Sequence, residues 1–132
     1  MSKMIHSMIR VLEEARSVAF YEQAFGFRVA ERLAFETFTL IYLRGDAVSF
    51  ELELTVNHGR TEPYVLGDGY GHLAVVVEDL DAAYARIIET TGATCTTPRE
   101  LAHGGKLLAR FFFATDPDGY KIEVLQRGGR FA

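Results

Sequence analysis

The sequence predicts an α+β protein built from two βαβββ modules that form a metal-containing cleft. Three observations carry this expectation. The order strand, helix, three strands occurs twice along the chain. Both helical stretches end on a glycine, Gly26 and Gly92. Each module also places one histidine in its first strand and one glutamate in its last.

The first module spans roughly residues 4 to 57. "MIHSMIRV" alternates as a strand, with Ile5, Ile9 and Val11 on one side and His6, Met8 and Arg10 on the other. "EEARSVAFYEQAFG" reads as a helix. Val18 and Tyr21, and Phe20 and Ala24, recur at helical spacing, and Gly26 supplies the C-cap. "FRVAERL", "FTLIYLR" and "SFELELTV" follow as three strands, with Arg44, Gly45 and Asp46 turning the chain before the last. "NHGRTEPYVLGDG", residues 57 to 69, mixes glycine, proline and charge without a period and reads as a linker.

The second module spans roughly residues 70 to 125. "GHLAVVVE" is a strand, "DLDAAYARIIETTG" a helix, and "ATCTTPR" a short strand. "KLLARFFFAT" and "YKIEVLQ" are further strands, parted by a "DPDG" turn. The helix of such a module protects one sheet face, so the other must meet a second module or carry a cleft. The two modules are therefore expected to act together as one domain over residues 1–132.

Composition narrows the class. A chain of 132 residues with 48% apolar residues can bury a real core as a single domain. The net charge of −4 argues against a broad nucleic-acid surface. Cys95 is the only cysteine and cannot pair internally, which suits a reducing compartment. "MSKMIHSMIR" lacks a signal-peptide apolar run, and no stretch approaches the roughly 20 apolar residues of a membrane span. A cytoplasmic protein without nucleic-acid or membrane partners is expected.

The polar residues on the strands are the informative ones. His6 and His72 open the first strand of each module, and Glu53 and Glu123 occupy the last. Period-two alternation sets Glu51, Glu53 and Thr55 against Phe50, Leu52 and Leu54. It likewise sets Lys121, Glu123 and Leu125 against Ile122 and Val124. Each module thus turns one histidine and one glutamate away from its helix-packed face. Two neutral imidazoles and two carboxylates make an octahedral N/O ligand set for a first-row divalent cation, whose charge the carboxylates offset. A lone strand histidine is more often a satisfied structural residue, and a lone strand glutamate usually faces water. Buried carboxylates are costly unless paired or metal-bound, and their repetition in both modules favours a site. Cys95 has no histidine beside it in sequence and reads as an inert small residue.

With "HSMIRV", "ELELTVN", "GYGHLAVVVEDL" and "DPDGYKIEVL", the chain resembles the glyoxalase I (lactoylglutathione lyase) family of the vicinal oxygen chelate superfamily. The likeness covers about residues 4 to 126. The set His6, Glu53, His72 and Glu123 separates it from ring-cleaving dioxygenases of that superfamily, which typically use two histidines and one glutamate. The resemblance implies the paired βαβββ fold, in a homodimer whose cleft takes His6 and Glu53 from one chain and His72 and Glu123 from the other. The alternative is one chain closing its own two modules. The resemblance also implies one divalent ion per site, with Ni²⁺ favoured by the short bacterial form, and Co²⁺, Zn²⁺ or Mn²⁺ compatible with the ligands. Its substrate would be the hemithioacetal of methylglyoxal and glutathione, isomerised to S-D-lactoylglutathione by proton transfer through an enediolate. Glu123 is the first choice as base, with Glu53 as its symmetry-related partner.

The resemblance assigns glutathione contacts to Arg10, Asn57 and Arg86. Family members often carry a lysine before the glycines of the loop that precedes the seventh strand. This chain has His103 before Gly104 and Gly105, and Lys106 after them, so His103 or Lys106 would fill that role. His103 also keeps open another metalloenzyme of the superfamily, an epimerase or a lyase using a different thiol. A non-enzymatic ligand-binding or resistance protein would need the cleft without a carboxylate poised for proton transfer.

Overall fold

The structure, a computed structural model, describes residues 1–46 and 48–132. It holds two compact units, Met1–Val65 and Leu66–Ala132, each with the βαβββ order.

The first unit contains β1 (His6–Arg10), α1 (Glu14–Phe25), β2 (Arg28–Ala34), β3 (Phe38–Arg44) and β4 (Glu51–Asn57). Its sheet runs β1-β4-β3-β2, with β1 parallel to β4 and the other pairs antiparallel. The helix buries Ser17, Phe20, Tyr21 and Ala24, a stripe at i, i+3, i+4 and i+7. Val18, expected on that face, is only half-buried, because the stripe runs through Ser17 instead. Gly26 ends the helix at φ 70°, a left-handed conformation that costs a glycine little. Against the helix lie Ile9, Ile41, Leu43, Leu52 and Leu54, all buried. Each such side chain contributes about 1.5–3 kcal/mol by leaving water.

The edge strand β2 is exposed along its whole length and shifts register between Val29 and Glu31. Charge and a bulge on an edge discourage pairing with another chain. Arg32 reaches from this edge to α1, where Nε and Nη2 donate to the two oxygens of Glu14 at 2.7 and 2.9 Å. That bidentate bond holds the Glu14 carboxyl below its usual range.

The second unit contains β5 (Leu73–Val77), α2 (Leu80–Thr91), β6 (Arg99–His103), β7 (Lys106–Thr115) and β8 (Lys121–Gln126). Its sheet order, β5-β8-β7-β6, repeats the first, again with the outer pair β5 and β8 parallel. Asp79 caps α2 by accepting a hydrogen bond from Ala82 N at 3.0 Å, and Gly92 closes it at φ 67°. Leu80, Ala83 and Ile87 pack toward a core with Phe112, Ala114, Ile122 and Val124.

One expected strand is displaced. Residues 93–98 form no strand beyond an isolated bridge, Cys95 with Ala114, and the edge strand begins at Arg99. Pro98 has no amide hydrogen to give a ladder. The pairing instead follows the hairpin at Gly104 and Gly105, whose φ values of 59° and 76° suit a two-residue turn. His72 stands one residue before β5 rather than inside it. Among the described residues no helix is long and apolar enough to cross a membrane.

Candidate functional site

The register of each sheet brings its histidine and glutamate together. In the first unit Met8 of β1 pairs with Glu53 of β4, and His6 lies two residues before Met8 on the same face. In the second, Ala74 of β5 pairs with Glu123 of β8, and His72 lies two residues before Ala74. The two half-sites therefore occupy equivalent places. His6 Nε2 lies 3.3 Å from Glu53 Oε2, and His72 Nε2 lies 3.6 Å from Glu123 Oε1. Both imidazoles keep more than a third of their side-chain surface accessible, whereas the Glu53 side chain is 11% exposed and that of Glu123 is 20%.

Each pair is walled by an aromatic ring from the neighbouring strand. Tyr42 of β3 sits opposite Glu53, and its ring meets His6 edge-on with centroids 5.9 Å apart. Phe113 of β7 sits opposite Glu123 and meets His72 edge-on at 5.1 Å. The Tyr42 phenol is held above its ordinary pKa, first by its hydrogen bond to the Glu53 carboxylate and then by burial and nearby carboxylates. The sequence reading missed both rings. The signal was non-local: alternation puts Tyr42 on the less buried face of "FTLIYLR", opposite Ile41 and Leu43, but only strand register sets it against Glu53.

The "DPDG" turn sets where β8 begins. Buried Asp116 accepts hydrogen bonds at Oδ1 from the backbone N–H groups of Asp118 and Tyr120, both at 2.9 Å. Gly119 completes the turn at φ 97°. Beside Phe113 lies an open depression of ≈ 330 Å³ lined by Thr94, Cys95, Thr96, Thr115 and Lys121. Lys121 Nζ donates to Thr115 Oγ1 at 2.7 Å. Burial pushes the Cys95 thiol up, which keeps it protonated and fits its reading as an unreactive residue.

The other expected contacts are scattered. Arg10 lies four residues beyond His6 on the same face of β1. Asn57 ends β4 on the Glu53 face, and its Nδ2 donates to the Tyr64 hydroxyl at 2.9 Å. Within the second unit, Arg86 is exposed on α2, and Tyr84 of that helix packs on Phe112, which points away from Phe113 and Glu123. The fold of that unit therefore does not gather Arg86 with His72 and Glu123. His103 and Lys106 face each other across the Gly104–Gly105 turn, both exposed.

The donor chemistry fits a first-row divalent cation, since each half-site supplies one imidazole nitrogen and one carboxylate within reach of each other. Each supplies only half of a set. Among the described residues no group of three or more His, Cys, Asp or Glu side chains could hold a metal ion.

Comparison with known proteins gives the family. Residues 3–124 match the Glyoxalase/Bleomycin resistance protein/Dioxygenase superfamily. A lactoylglutathione lyase of Neisseria meningitidis serogroup A is 37% identical over 95% of this chain and 91% of its own. A probable lactoylglutathione lyase of Synechocystis is 34% identical over 96% of this chain and 97% of its own. The chain belongs to the glyoxalase I family. Among solved glyoxalase I structures, the trypanothione-dependent enzyme of Leishmania major superposes with a TM-score of 0.77. It is 32% identical, over 96% of this chain and 87% of its own. The strand order led one to expect two βαβββ modules, and they are those of the glyoxalase superfamily, as the resemblance implied.

Proposed function

We propose that the protein is a metal-dependent lactoylglutathione lyase, which converts the hemithioacetal of methylglyoxal and glutathione to S-D-lactoylglutathione. The observation that carries this reading is the repeated half-site. His6 with Glu53 and His72 with Glu123 stand at equivalent register positions, in a chain 37% identical to a lactoylglutathione lyase. The four side chains together would hold one divalent ion, nickel by preference, with Co²⁺, Zn²⁺ or Mn²⁺ as substitutes. When bound, that ion would supply positive charge to stabilise the oxygen anions of the reaction.

The chain's own residues do the proton work. A carboxylate must take the C1 proton of the hemithioacetal, which gives an enediolate, and return a proton to C2. Glu123 is assigned that role. The neutral imidazoles of His6 and His72 stay as ligands. Arg10 and Asn57, on the His6 and Glu53 face, would meet carboxylate and amide groups of glutathione.

A second thiol is the one competing reading that an observation favours. The hairpin carries His103 before its glycines, and a relative of similar likeness is described as trypanothione-dependent. Methylglyoxal loss should therefore be followed with glutathione, with other thiols and with none, on nickel-loaded and on chelator-stripped protein. Turnover with glutathione that requires the metal supports the proposal. Turnover with another thiol alone moves the assignment to that thiol, and loss without any thiol or metal overturns it.

A further inference from the structure

The two half-sites match position by position, yet the carboxylates stand in different surroundings. Opposite Glu53 is Tyr42, whose ring meets His6 edge-on and whose phenol is placed to donate to the carboxylate. At the equivalent place opposite Glu123 is Phe113, whose ring makes the same edge-on contact with a histidine but has no hydroxyl. Two further differences point the same way. Glu53 is the more buried carboxylate, 11% exposed against 20%, and it lies closer to its histidine, 3.3 against 3.6 Å. On the Tyr42 face of β3 the adjacent residues are Leu40, which is apolar, and Arg44, which pairs with Glu51 at 3.7 Å.

We infer that Tyr42 is a positioning residue that fixes Glu53 as the permanent ligand and thereby leaves the proton transfer to Glu123. The inference rests on the proposed isomerase reading and explains why two glutamates at equivalent positions divide their work. A donated hydrogen bond occupies one lone pair of Glu53 and restricts its rotation. The carboxylate then meets a cation with less ordering to lose, and swings away less readily once bound. Glu123 has no such tether from its facing strand. It can leave the cation, take the C1 proton of the substrate onto a carboxylate oxygen, and deliver it to C2 without breaking a protein hydrogen bond at that wall.

Tyr42→Phe and Phe113→Tyr test this from both sides. The first deletes only the hydroxyl and keeps the ring against His6; the second offers Glu123 the missing phenol. Nickel affinity is measured by competition with a chelator, the visible spectrum of the cobalt-loaded protein reports ligand geometry, and kcat and KM are measured at saturating nickel. Tyr42→Phe is expected to weaken nickel binding roughly tenfold and to alter the cobalt spectrum, as loss of an outer hydrogen bond to a ligand does. At saturating nickel its KM should stay near that of the parent. Phe113→Tyr is expected to bind nickel at least as tightly while kcat falls, because the base is now held. Unchanged nickel affinity in Tyr42→Phe overturns the inference, even if Phe113→Tyr fails to fold. So does a loss of kcat in Tyr42→Phe equal to that in Phe113→Tyr. The function reading fails separately. A parent that binds nickel but isomerises no hemithioacetal would end it, and a weakened affinity in Tyr42→Phe would still uphold the tie between Tyr42 and Glu53.

Discussion

Asp116 closes the turn that leads into β8, the strand that carries Glu123. The residue is 4% exposed, and its carboxylate accepts two backbone hydrogen bonds across the turn between β7 and β8. Glu123 follows the second of these, Tyr120, by three residues, so the turn fixes the register that sets Glu123 against Phe113. Asp116→Ala strands two amide donors in a buried turn and is expected to cost about 1–3 kcal/mol of stability. Asp116→Asn keeps an acceptor without the charge and should lose less, because bonds to an ionised acceptor are stronger. Urea unfolding of the three proteins checks the order. An alanine variant as stable as the parent would show that the turn is held by its backbone alone.

Among the elements, legibility followed the range of the interactions that fix each one. Both helices were readable because a buried stripe and a terminal glycine are local signals, and β3 and β7 were readable because a short apolar run rich in aromatic and β-branched residues is one too. The edge strand β6 was not. Threonines at 94, 96 and 97 imitate a strand, while the true ladder is set by the glycine turn after His103. The His and Glu members of each half-site could be named from alternation, whereas Tyr42 needed knowledge of which strands are neighbours. The helix starts differ in a way that can be measured. Asp79 caps α2 through its side chain, but Glu13, at the start of α1, makes no side-chain cap bond. Asp79→Ala should therefore lower stability by about 0.5–2 kcal/mol, in the range for a lost cap. Glu13→Ala should stay within a few tenths on this account. Thermal unfolding of the pair checks the contrast, and equal losses would refute it.

For the whole molecule, arithmetic of donors sets the question. Each unit supplies one nitrogen and one oxygen side chain, and a first-row divalent ion asks for about four to six ligands. We propose that the two half-sites combine, and that they do so between the chains of a homodimer. In that arrangement His6 and Glu53 of one protomer share an ion with His72 and Glu123 of its partner. A mixed dimer of a His6→Ala chain and a His72→Ala chain separates this from closure within one chain. Under exchange, one cleft collects both alanines and the other collects none, so each isolated heterodimer should recover about half of the parental activity and bind one nickel. Both variant homodimers, with one defect in every cleft, should stay inactive. Under closure within a chain, every cleft of the heterodimer also carries one defect, and nothing is recovered. The measurement uses differently tagged chains, purified through both tags and assayed before subunits reassort, with nickel content read on the same sample. Heterodimers with neither activity nor nickel above the homodimers would reject the shared site and place each ion within a single chain.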